Sequence, residues 1–177
     1  MPKEREPSRR PEAAARSSAA HVAATQTLDQ AVVHVRPIQS ADIGQVIAID
    51  AEVTGIEKTD YWYELYRRYG ASRTRQRMFL VAESGGAIQG FVIGEVRDWE
   101  FGSPPCGWVF GISVRPGARL AGLGTRLLEA MCDSLRYAGV NRVRTLVARD
   151  NTLVLSFFRS QAMTAAPAII LEKTLEP

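Results

Sequence analysis

The chain of 177 residues is long enough for one domain with a full hydrophobic core, and its 46% hydrophobic and 23% charged content is that of a globular protein. The net charge of +3 is mildly basic, which favours acidic ligands without indicating nucleic acid. No apolar run approaches the roughly 20 residues of a membrane-spanning helix, and the charged start of the chain lacks the apolar core of a secretory signal.

The first 30 residues contain almost no large apolar side chain. They are rich in Ala, Arg, Glu, Ser and Pro, so they cannot bury enough surface to offset the entropy of ordering. We predict a flexible tail over residues 1–30, either a dispensable leader or a partner-binding arm, and a folded domain over residues 31–177.

A short strand and a helix are predicted first. The β-branched run over 32–38 predicts a strand that Pro37 ends. Ser40 is placed to cap a helix over 40–53. The apolar stripe of this helix consists of Ile43, Val46, Ile47 and Ile49.

A second helix is predicted over residues 59–70. Thr59 or Asp60 would cap its N-terminus and Gly70 would stop it. Two strands follow, over 77–84 and 88–99, and the glycines between them predict a hairpin turn.

The rest of the chain alternates between strands and helices. A strand over 108–114 precedes a helix over 125–139, and a strand over 142–148 precedes a helix over 151–161. A last strand is predicted over 168–175. The order β-α-α-β-β-β-α-β-α-β predicts an α/β fold with a mixed sheet and helices on both faces.

A glycine-rich bend joins the strand over 108–114 to the next helix. Apolar side chains recur there every four residues, at Leu123, Leu127, Met131 and Leu135, and predict a helix that packs on the sheet. The first turn of such a helix has unpaired N–H groups and the positive end of the helix dipole. Because glycine lets a ligand come close, the bend predicts a phosphate or pyrophosphate site.

Three phosphate-binding patterns compete for this bend. The ATP/GTP-type loop requires a lysine where the segment GLGT, residues 122–125, has leucine. The dinucleotide fingerprint requires a third glycine where Leu127 stands. The remaining pattern, Arg/Gln-x-x-Gly-x-Gly/Ala, is matched by Arg119, Gly122 and Gly124.

With this motif and its flanking strand and helix, the chain resembles the GCN5-related N-acetyltransferase (GNAT) superfamily over roughly residues 32–175. The resemblance implies the acyl-CoA N-acyltransferase fold and acetyl-CoA as co-substrate. In that family the loop amides hold the pyrophosphate of acetyl-CoA. This role would fall here to Arg119, Leu120, Ala121, Gly122, Leu123, Gly124 and Thr125.

Gly111 interrupts an otherwise buried strand, which often marks a bulge, although a glycine can also merely clear a bulky neighbour. The resemblance implies a bulge here, where two parallel strands separate and admit the pantetheine arm. The acetyl and pantetheine path would be lined by Ile112, Ser113 and Val114.

A later segment, residues 150–163, is similar to a second family pattern. Asn151 would contact the pantetheine or start the helix as its N-cap. Phe158 stands where the family usually has a tyrosine and would likewise belong to the cofactor site, and Ala162 and Met163 replace the family's glycine and phenylalanine.

Acetyl transfer requires a neutral amine, and a carboxylate commonly removes its proton. Glu100, between two strands, is the first candidate base, and Glu95 is the second if its strand parity allows. A solvated surface carboxylate is the alternative for each. Phe110 occupies the position that often carries a glutamate in the family, and Phe158 has no proton for the CoA thiolate, which water can protonate instead.

These observations predict a cytoplasmic N-acetyltransferase that acts on a primary amine of a small molecule, peptide or protein. A non-catalytic acyl-CoA-binding module of the same fold is the alternative. The resemblance also implies that the second helix, from Asp60 to Trp62, helps to shape the acceptor pocket, unless these residues are core. Dimers are common in the family, which allows a homodimer.

Other classes of site find little support. The arginine-rich run over 66–77 predicts a solvated helix end and loop rather than a nucleic-acid or acidic-partner contact. The two histidines are isolated, so no metal is expected. Cys106 and Cys132 lack the spacing of a disulfide framework or a zinc site, which favours a reducing compartment.

Overall fold

The computed structural model describes residues 32–71 and 74–175, and the tail predicted over residues 1–30 lies outside these ranges. The described residues form one mixed sheet in the order β1-β2-β3-β4-β5. The first four strands pair antiparallel in chain order, and β5 pairs in parallel with β4. The strands are β1 His34–Pro37, β2 Arg77–Ser84, β3 Ala87–Arg97, β4 Cys106–Val114 and β5 Val143–Thr145.

Two compact units divide the described residues. The unit that ends at Thr145 holds the whole sheet and three helices, and the unit from Leu146 onward holds one helix. The helices are α1 Ile43–Thr54, α2 Thr59–Leu65, α3 Leu123–Tyr137 and α4 Thr152–Ser160.

Positive-φ glycines end two of the predicted elements as expected. Gly85 and Gly86, at φ +59° and +77°, form the two-residue turn between β2 and β3. Gly139, at φ +94°, follows the last turn of α3, and its N–H donates to the carbonyl of Arg136 at 2.9 Å.

The predicted capping of α1 by Ser40 is wrong. Ser40 begins a short 3-10 turn that ends at Asp42, and Gln39 and Asp42 form a reciprocal capping box around this turn. The Asp42 carboxylate accepts the N–H of Gln39 at 2.8 Å and is paired with Arg36 of β1 at 2.7 Å. The ion pair between Asp42 and Arg36 of β1 therefore fixes the start of α1. A serine hydroxyl could not form such a pair.

The second helix begins differently from the prediction, whereas its helical backbone ends at Gly70 as predicted. Its N-cap is Lys58, without a side-chain hydrogen bond, so neither Thr59 nor Asp60 caps it. After Leu65 the backbone widens into a π-type turn, Tyr66–Gly70. A Cβ atom at Gly70 would lie 2.5 Å from Tyr66 Cδ2, so close packing accounts for this glycine.

The predicted strand over residues 168–175 is wrong. This segment forms no strand in the described part of the chain, and Ile169 and Leu171 are 83% and 85% exposed. An alternating apolar pattern predicts a strand only where a neighbour takes its backbone hydrogen bonds, and no such ladder forms within the described ranges. The strand predicted over 142–148 is likewise shorter, because β5 ends at Thr145.

One face of the sheet packs against α1, α2 and the π-type turn. Side chains of β2 and β3 that share this face, such as Phe79 and Phe91, meet Trp62 at ring-centroid distances of 6.2 and 5.0 Å. The Trp62 indole N–H donates to the buried Asp50 at 2.8 Å. Trp62 is therefore core, whereas Tyr61 is half-exposed at the surface.

The opposite face packs closely against α3. Leu123, Leu127, Met131 and Leu135 are fully buried, which confirms the predicted stripe. Glycines face them: a Cβ atom would lie 3.1 Å from Leu127 at Gly90, 2.9 Å from Met131 at Gly94 and 2.6 Å from Leu135 at Gly107. The helix can approach the sheet this closely because β3 and β4 lack side chains at these contacts.

Candidate active site

The bend after β4 forms a helix N-terminus open to solvent. A 3-10 turn over Pro116–Ala121 leads to Gly122, which adopts φ +69° and ψ 11° before α3 begins at Leu123. Among the described atoms none lies within 4 Å of a Cβ built at Gly122, and the residue is exposed. Because the Arg126 N–H makes the first helical bond, to the Gly122 carbonyl, the N–H groups of residues 123–125 have no partner within the helix.

The anion site predicted over residues 119–125 lies at this N-terminus and stays a prediction. The dipole of the 15-residue helix α3 and the amides of Leu123, Gly124 and Thr125 point at the space beside Gly122. The backbone of residues 119–121 lies in the preceding turn, and the side chains of Arg119, Leu120 and Ala121 lie outside the described part of the structure. The first turn of α3 thus offers backbone donors to an anion.

A β-bulge lies where Gly111 predicts one. Ile93 of β3 pairs with Gly111, but the next residue, Gly94, pairs with Val109, so Phe110 is the extra residue of β4. The bulge turns the Phe110 side chain towards Tyr69, with ring centroids 5.2 Å apart. The nearest neighbour of a Cβ at Gly111 would be the Ile93 side chain, at 3.6 Å, which is an ordinary contact. Crowding therefore does not account for this glycine, whereas the bulge does.

Beyond the bulge, β4 has a free edge. Its parallel pairing with β5 covers only residues 107–109, and the ladder stops at Val109 and Thr145. Ile112, Ser113 and Val114 still pair with β3 on the other side, and all three are half-buried. Within the described residues no strand takes the remaining hydrogen bonds of this half of β4. An extended amide-bearing ligand can bind there as a strand would.

Glu95 lies on the same face as the bulge side chains. Strand alternation places its side chain on the same face of the sheet as Phe91 and Ile93, so its strand parity allows it to face the bulge. Its carboxylate accepts the Tyr69 hydroxyl at 2.7 Å and the Arg97 Nε at 2.9 Å. A buried phenol and a guanidinium therefore hold this carboxylate in place.

The neighbours of Glu95 also set its ionisation. Burial raises the pKa of its carboxyl, but the hydrogen bonds from Tyr69 and Arg97 and the charges of Arg97 and Arg77 outweigh burial and lower it. Burial and the bond to Glu95 raise the pKa of the Tyr69 hydroxyl. Glu95 is thus a carboxylate at neutral pH, and Tyr69 stays protonated as its donor.

Glu100 lies in the strained connection between β3 and β4. Two flanking aromatic residues, Trp99 and Phe101, have left-handed backbone conformations at φ +48° and +47°, and both are exposed. The Glu100 carboxylate is 3.9 Å from Arg97 Nη1, with 44% of its side chain exposed. The structure therefore brings the two predicted carboxylates to one arginine, with Glu95 as the more enclosed of the two.

Comparison with known proteins places the chain in a family. Residues 44–163 match the Acetyltransferase (GNAT) family. The chain belongs to this family. It is 31% identical over 130 residues to an L-2,4-diaminobutyric acid acetyltransferase of Nocardia farcinica (strain IFM 10152), and the match covers 72% of this chain but only 63% of that relative. The chain therefore spans less than two thirds of this relative's length.

Solved structures share the GNAT fold. The aminoglycoside N-acetyltransferase AAC(6')-Iy, in complex with CoA, superposes with a TM-score of 0.72 at 16% identity over 81% of this chain and 95% of that one. The aminoglycoside 6'-N-acetyltransferase AAC(6')-Ih from Acinetobacter baumannii superposes with a TM-score of 0.70 at 15% identity, over 82% of this chain and 100% of the other. These likenesses confirm the predicted fold class.

The second unit of this GNAT chain carries the later family pattern. Asn151 caps α4, because its side-chain oxygen accepts the Val154 N–H at 3.2 Å. Phe158 is buried and packs edge-on against Phe157, with ring centroids 5.1 Å apart. Ala162, where the family has glycine, adopts φ +59°, a conformation that glycine takes without strain.

The sequence did not predict the two side chains that hold Glu95, those of Tyr69 and Arg97. The spacing of Trp62, Leu65 and Tyr69 by three and four residues puts Tyr69 on the buried helical face, so the signal was present. The arginine-rich run containing Tyr69 instead suggested a solvated surface.

In the described ranges, no helix is both long and apolar enough to cross a bilayer.

Proposed function

We propose that this protein transfers an acetyl group from acetyl-CoA to a primary amine. The observation that carries the proposal is the bulge at Phe110 followed by a free edge over Ile112–Val114, directly before an open helix N-terminus at Gly122. A strand edge for an amide-bearing arm and an anion site at its end suit one extended ligand with a diphosphate. Family membership supports this assignment.

When bound, acetyl-CoA supplies the activated acetyl thioester. The backbone amides of residues 119–125 would hold its pyrophosphate, and the free edge over 112–114 would hold the pantetheine amides. An N–H at the bulge, near Ile112, would donate to the carbonyl oxygen as negative charge develops on it. Asn151 and Phe158 belong to the second unit, and their contact with pantetheine stays a prediction.

Glu95 is the base we favour over Glu100. Its carboxylate is ionised and held by Tyr69 and Arg97, on the face towards which the bulge turns Phe110. It would accept the amine proton directly or through one water, while Glu100 would act on the same site from the more exposed connection. Water would protonate the departing thiolate, because the side chains of Phe110 and Phe158 have no acidic proton to donate.

A thiol-release assay with acetyl-CoA and a panel of amines tests this function. The panel should include a diamino acid and an aminoglycoside, the acceptor classes that the relatives' names give. Release of one CoA thiol per acetylated amine supports the proposal. The two phenylalanines favour a non-catalytic acyl-CoA-binding module as the second candidate, which tight acetyl-CoA binding without turnover of any amine would establish. The cytoplasmic setting and the homodimer stay predictions.

A further inference from the structure

A row of cross-strand neighbours crosses the sheet beside the bulge. Arg77 of β2 pairs with Glu95 of β3, Glu95 pairs with Trp108 of β4, and Trp108 pairs with Arg144 of β5. Directly paired residues project from the same face of a sheet. The row therefore lies on the face that carries Glu95 and Tyr69. Arg97 joins it from above, since its guanidinium carbon lies 4.4 Å from the centre of the Trp108 ring.

Positive charge exceeds negative charge along this row. Glu95 is already paired with Arg97, and Glu100 lies 3.9 Å from the same arginine. Among the described residues no carboxylate lies within 4 Å of a nitrogen of Arg77 or Arg144. The arginines outnumber the carboxylates that face them, so an acceptor with several positive charges would be repelled and one with an anionic group would be attracted.

Two hydrogen-bond donors in the row also lack acceptors. The Trp108 Nε1 and the Arg144 Nε are buried and have no hydrogen-bond partner among the described residues. Buried polar atoms of this kind are rare in proteins and call for an acceptor. The oxygens of a ligand carboxylate would supply one, and guanidinium groups bind carboxylates with two parallel hydrogen bonds.

We infer that the acceptor is a small amine that also carries a carboxylate, which Arg97 and Arg144 bind beside Trp108 and which the charge of Arg77 attracts. The inference rests on the proposed acetyl transfer and adds the acceptor class to it. Trp108 lies two residues before the bulge, a distance of about 7 Å along a strand. A short carbon chain spans such a distance, so an amino acid with a side-chain amine fits, with that amine at the bulge and its carboxylate beside Trp108 and Arg144, at the end of the row away from Glu95.

The first experiment compares acceptors at saturating acetyl-CoA. L-2,4-diaminobutyrate, 1,3-diaminopropane and kanamycin present respectively an amine with a carboxylate, the same carbon chain without it, and a polycation. We expect kcat/KM for the diamino acid to exceed that for the diamine by about tenfold or more, as a charge-assisted bidentate pair provides. Equal or faster turnover of the diamine or of kanamycin overturns the inference.

Arginine variants then assign the recognition to the row. In Arg144→Gln the ratio of kcat/KM for the diamino acid to that for the diamine should fall about tenfold, and Arg77→Gln should lower it in the same direction. Arg144→Lys, which keeps the charge, should restore part of the ratio if the glutamine variant folds poorly. The matched control is Arg136→Gln, an exposed arginine of α3 that is paired with Asp133. An unchanged ratio in all row variants contradicts the inference.

Failure of the proposed function would be distinguishable. If no amine is acetylated, the transfer proposal fails, and calorimetry on the full chain with CoA bound still tests acceptor recognition. Tighter binding of L-2,4-diaminobutyrate than of 1,3-diaminopropane supports the carboxylate site. Equal binding of the two, or none, overturns it.

Discussion

Glu95 shows how neighbouring side chains determine the chemistry of one residue. On the open surface a glutamate would be a solvated charge, but here the Tyr69 hydroxyl and the Arg97 guanidinium each donate to it. These contacts keep the carboxylate ionised and fix its direction, which the sequence around it does not specify. Glu100 shares Arg97 but lies in an exposed turn.

At this scale the sequence predicted local features better than it predicted which distant residues contact each other. Both carboxylates and the bulge at Gly111 were identified from local patterns, because strands and turns leave local signals. The bond between Tyr69 and Glu95 joins residues 26 positions apart and depends on how the π-type turn packs on the sheet. Such a contact is not contained in the spacing of either segment.

Replacing Glu95 by glutamine should slow acetyl transfer. Glutamine keeps the size of the side chain but cannot accept the amine proton, so kcat should fall by about 100-fold or more, with the affinity for acetyl-CoA unchanged. Steady-state kinetics with an amine acceptor would show this. Glu129→Gln, on the exposed side of α3, is the control. A kcat within twofold of the wild type would exclude Glu95 as the base.

The pH profile offers a second test of Glu95. Because the pKa of its carboxyl lies below the ordinary value of 4.5, the base stays ionised as the pH falls towards that value. The loss of kcat that depends on Glu95 protonation should therefore reach its half-point below pH 4.5. Stopped assays from pH 4 to 8 would locate this limb. A half-maximal kcat near pH 6 in the wild type, absent from Glu95→Gln, would contradict the assignment.

At the scale of elements, close contact between α3 and the sheet positions the N-terminus of α3, where we propose the anion site. The four-residue repeat of α3 was readable from the sequence, but the glycines of β3 and β4 that receive it were not assigned this role. For the exposed segment over 168–175 the local pattern predicted a strand, and this prediction is wrong. No partner strand for it is present within the described ranges. Pairing is a property of two segments.

Gly90→Ala should destabilise the protein. The added Cβ would lie 2.7 Å from the Ser113 carbonyl oxygen, which belongs to the backbone and cannot turn away. Overpacking of this kind costs about 1–3 kcal/mol of unfolding free energy. Gly44→Ala is the control, because nothing lies within 4 Å of its Cβ in α1 and alanine favours a helix by about 1 kcal/mol. Urea denaturation that ranks the two variants the other way would refute the packing argument.

Ala162→Gly should stabilise the end of α4. Ala162 adopts φ +59°, where a Cβ atom is strained by roughly 1–2 kcal/mol and glycine is not. We expect an increase of up to about 1 kcal/mol in unfolding free energy, since glycine also gains entropy in the unfolded chain. Ala138→Gly, at the end of α3 with φ −74°, should lower stability instead. A gain in both variants would point to a cause other than backbone strain.

At the scale of the molecule, the proposed function joins the free edge of β4 and the turn at Gly122 into one extended site for acetyl-CoA. The sequence predicted the turn, the strand and the helix that build it, because each depends on adjacent residues. The early end of the β4–β5 ladder could not be predicted from the sequence, since it depends on two strands about 30 residues apart. The proposed binding of acetyl-CoA follows from this combination.

Calorimetric titration of acetyl-CoA into Gly122→Asp and into Gly85→Asp addresses that binding. Both glycines are exposed, have positive φ and have no heavy atom within 4 Å of a Cβ, so the two variants add the same charge to equally open turns. A carboxylate at the N-terminus of α3 would repel the pyrophosphate, whereas one in the β2–β3 hairpin would not. We predict at least a tenfold increase in Kd for Gly122→Asp, or about 1.4 kcal/mol, and an unchanged Kd for Gly85→Asp. Equal affinity of the two variants for acetyl-CoA would contradict the site proposed here.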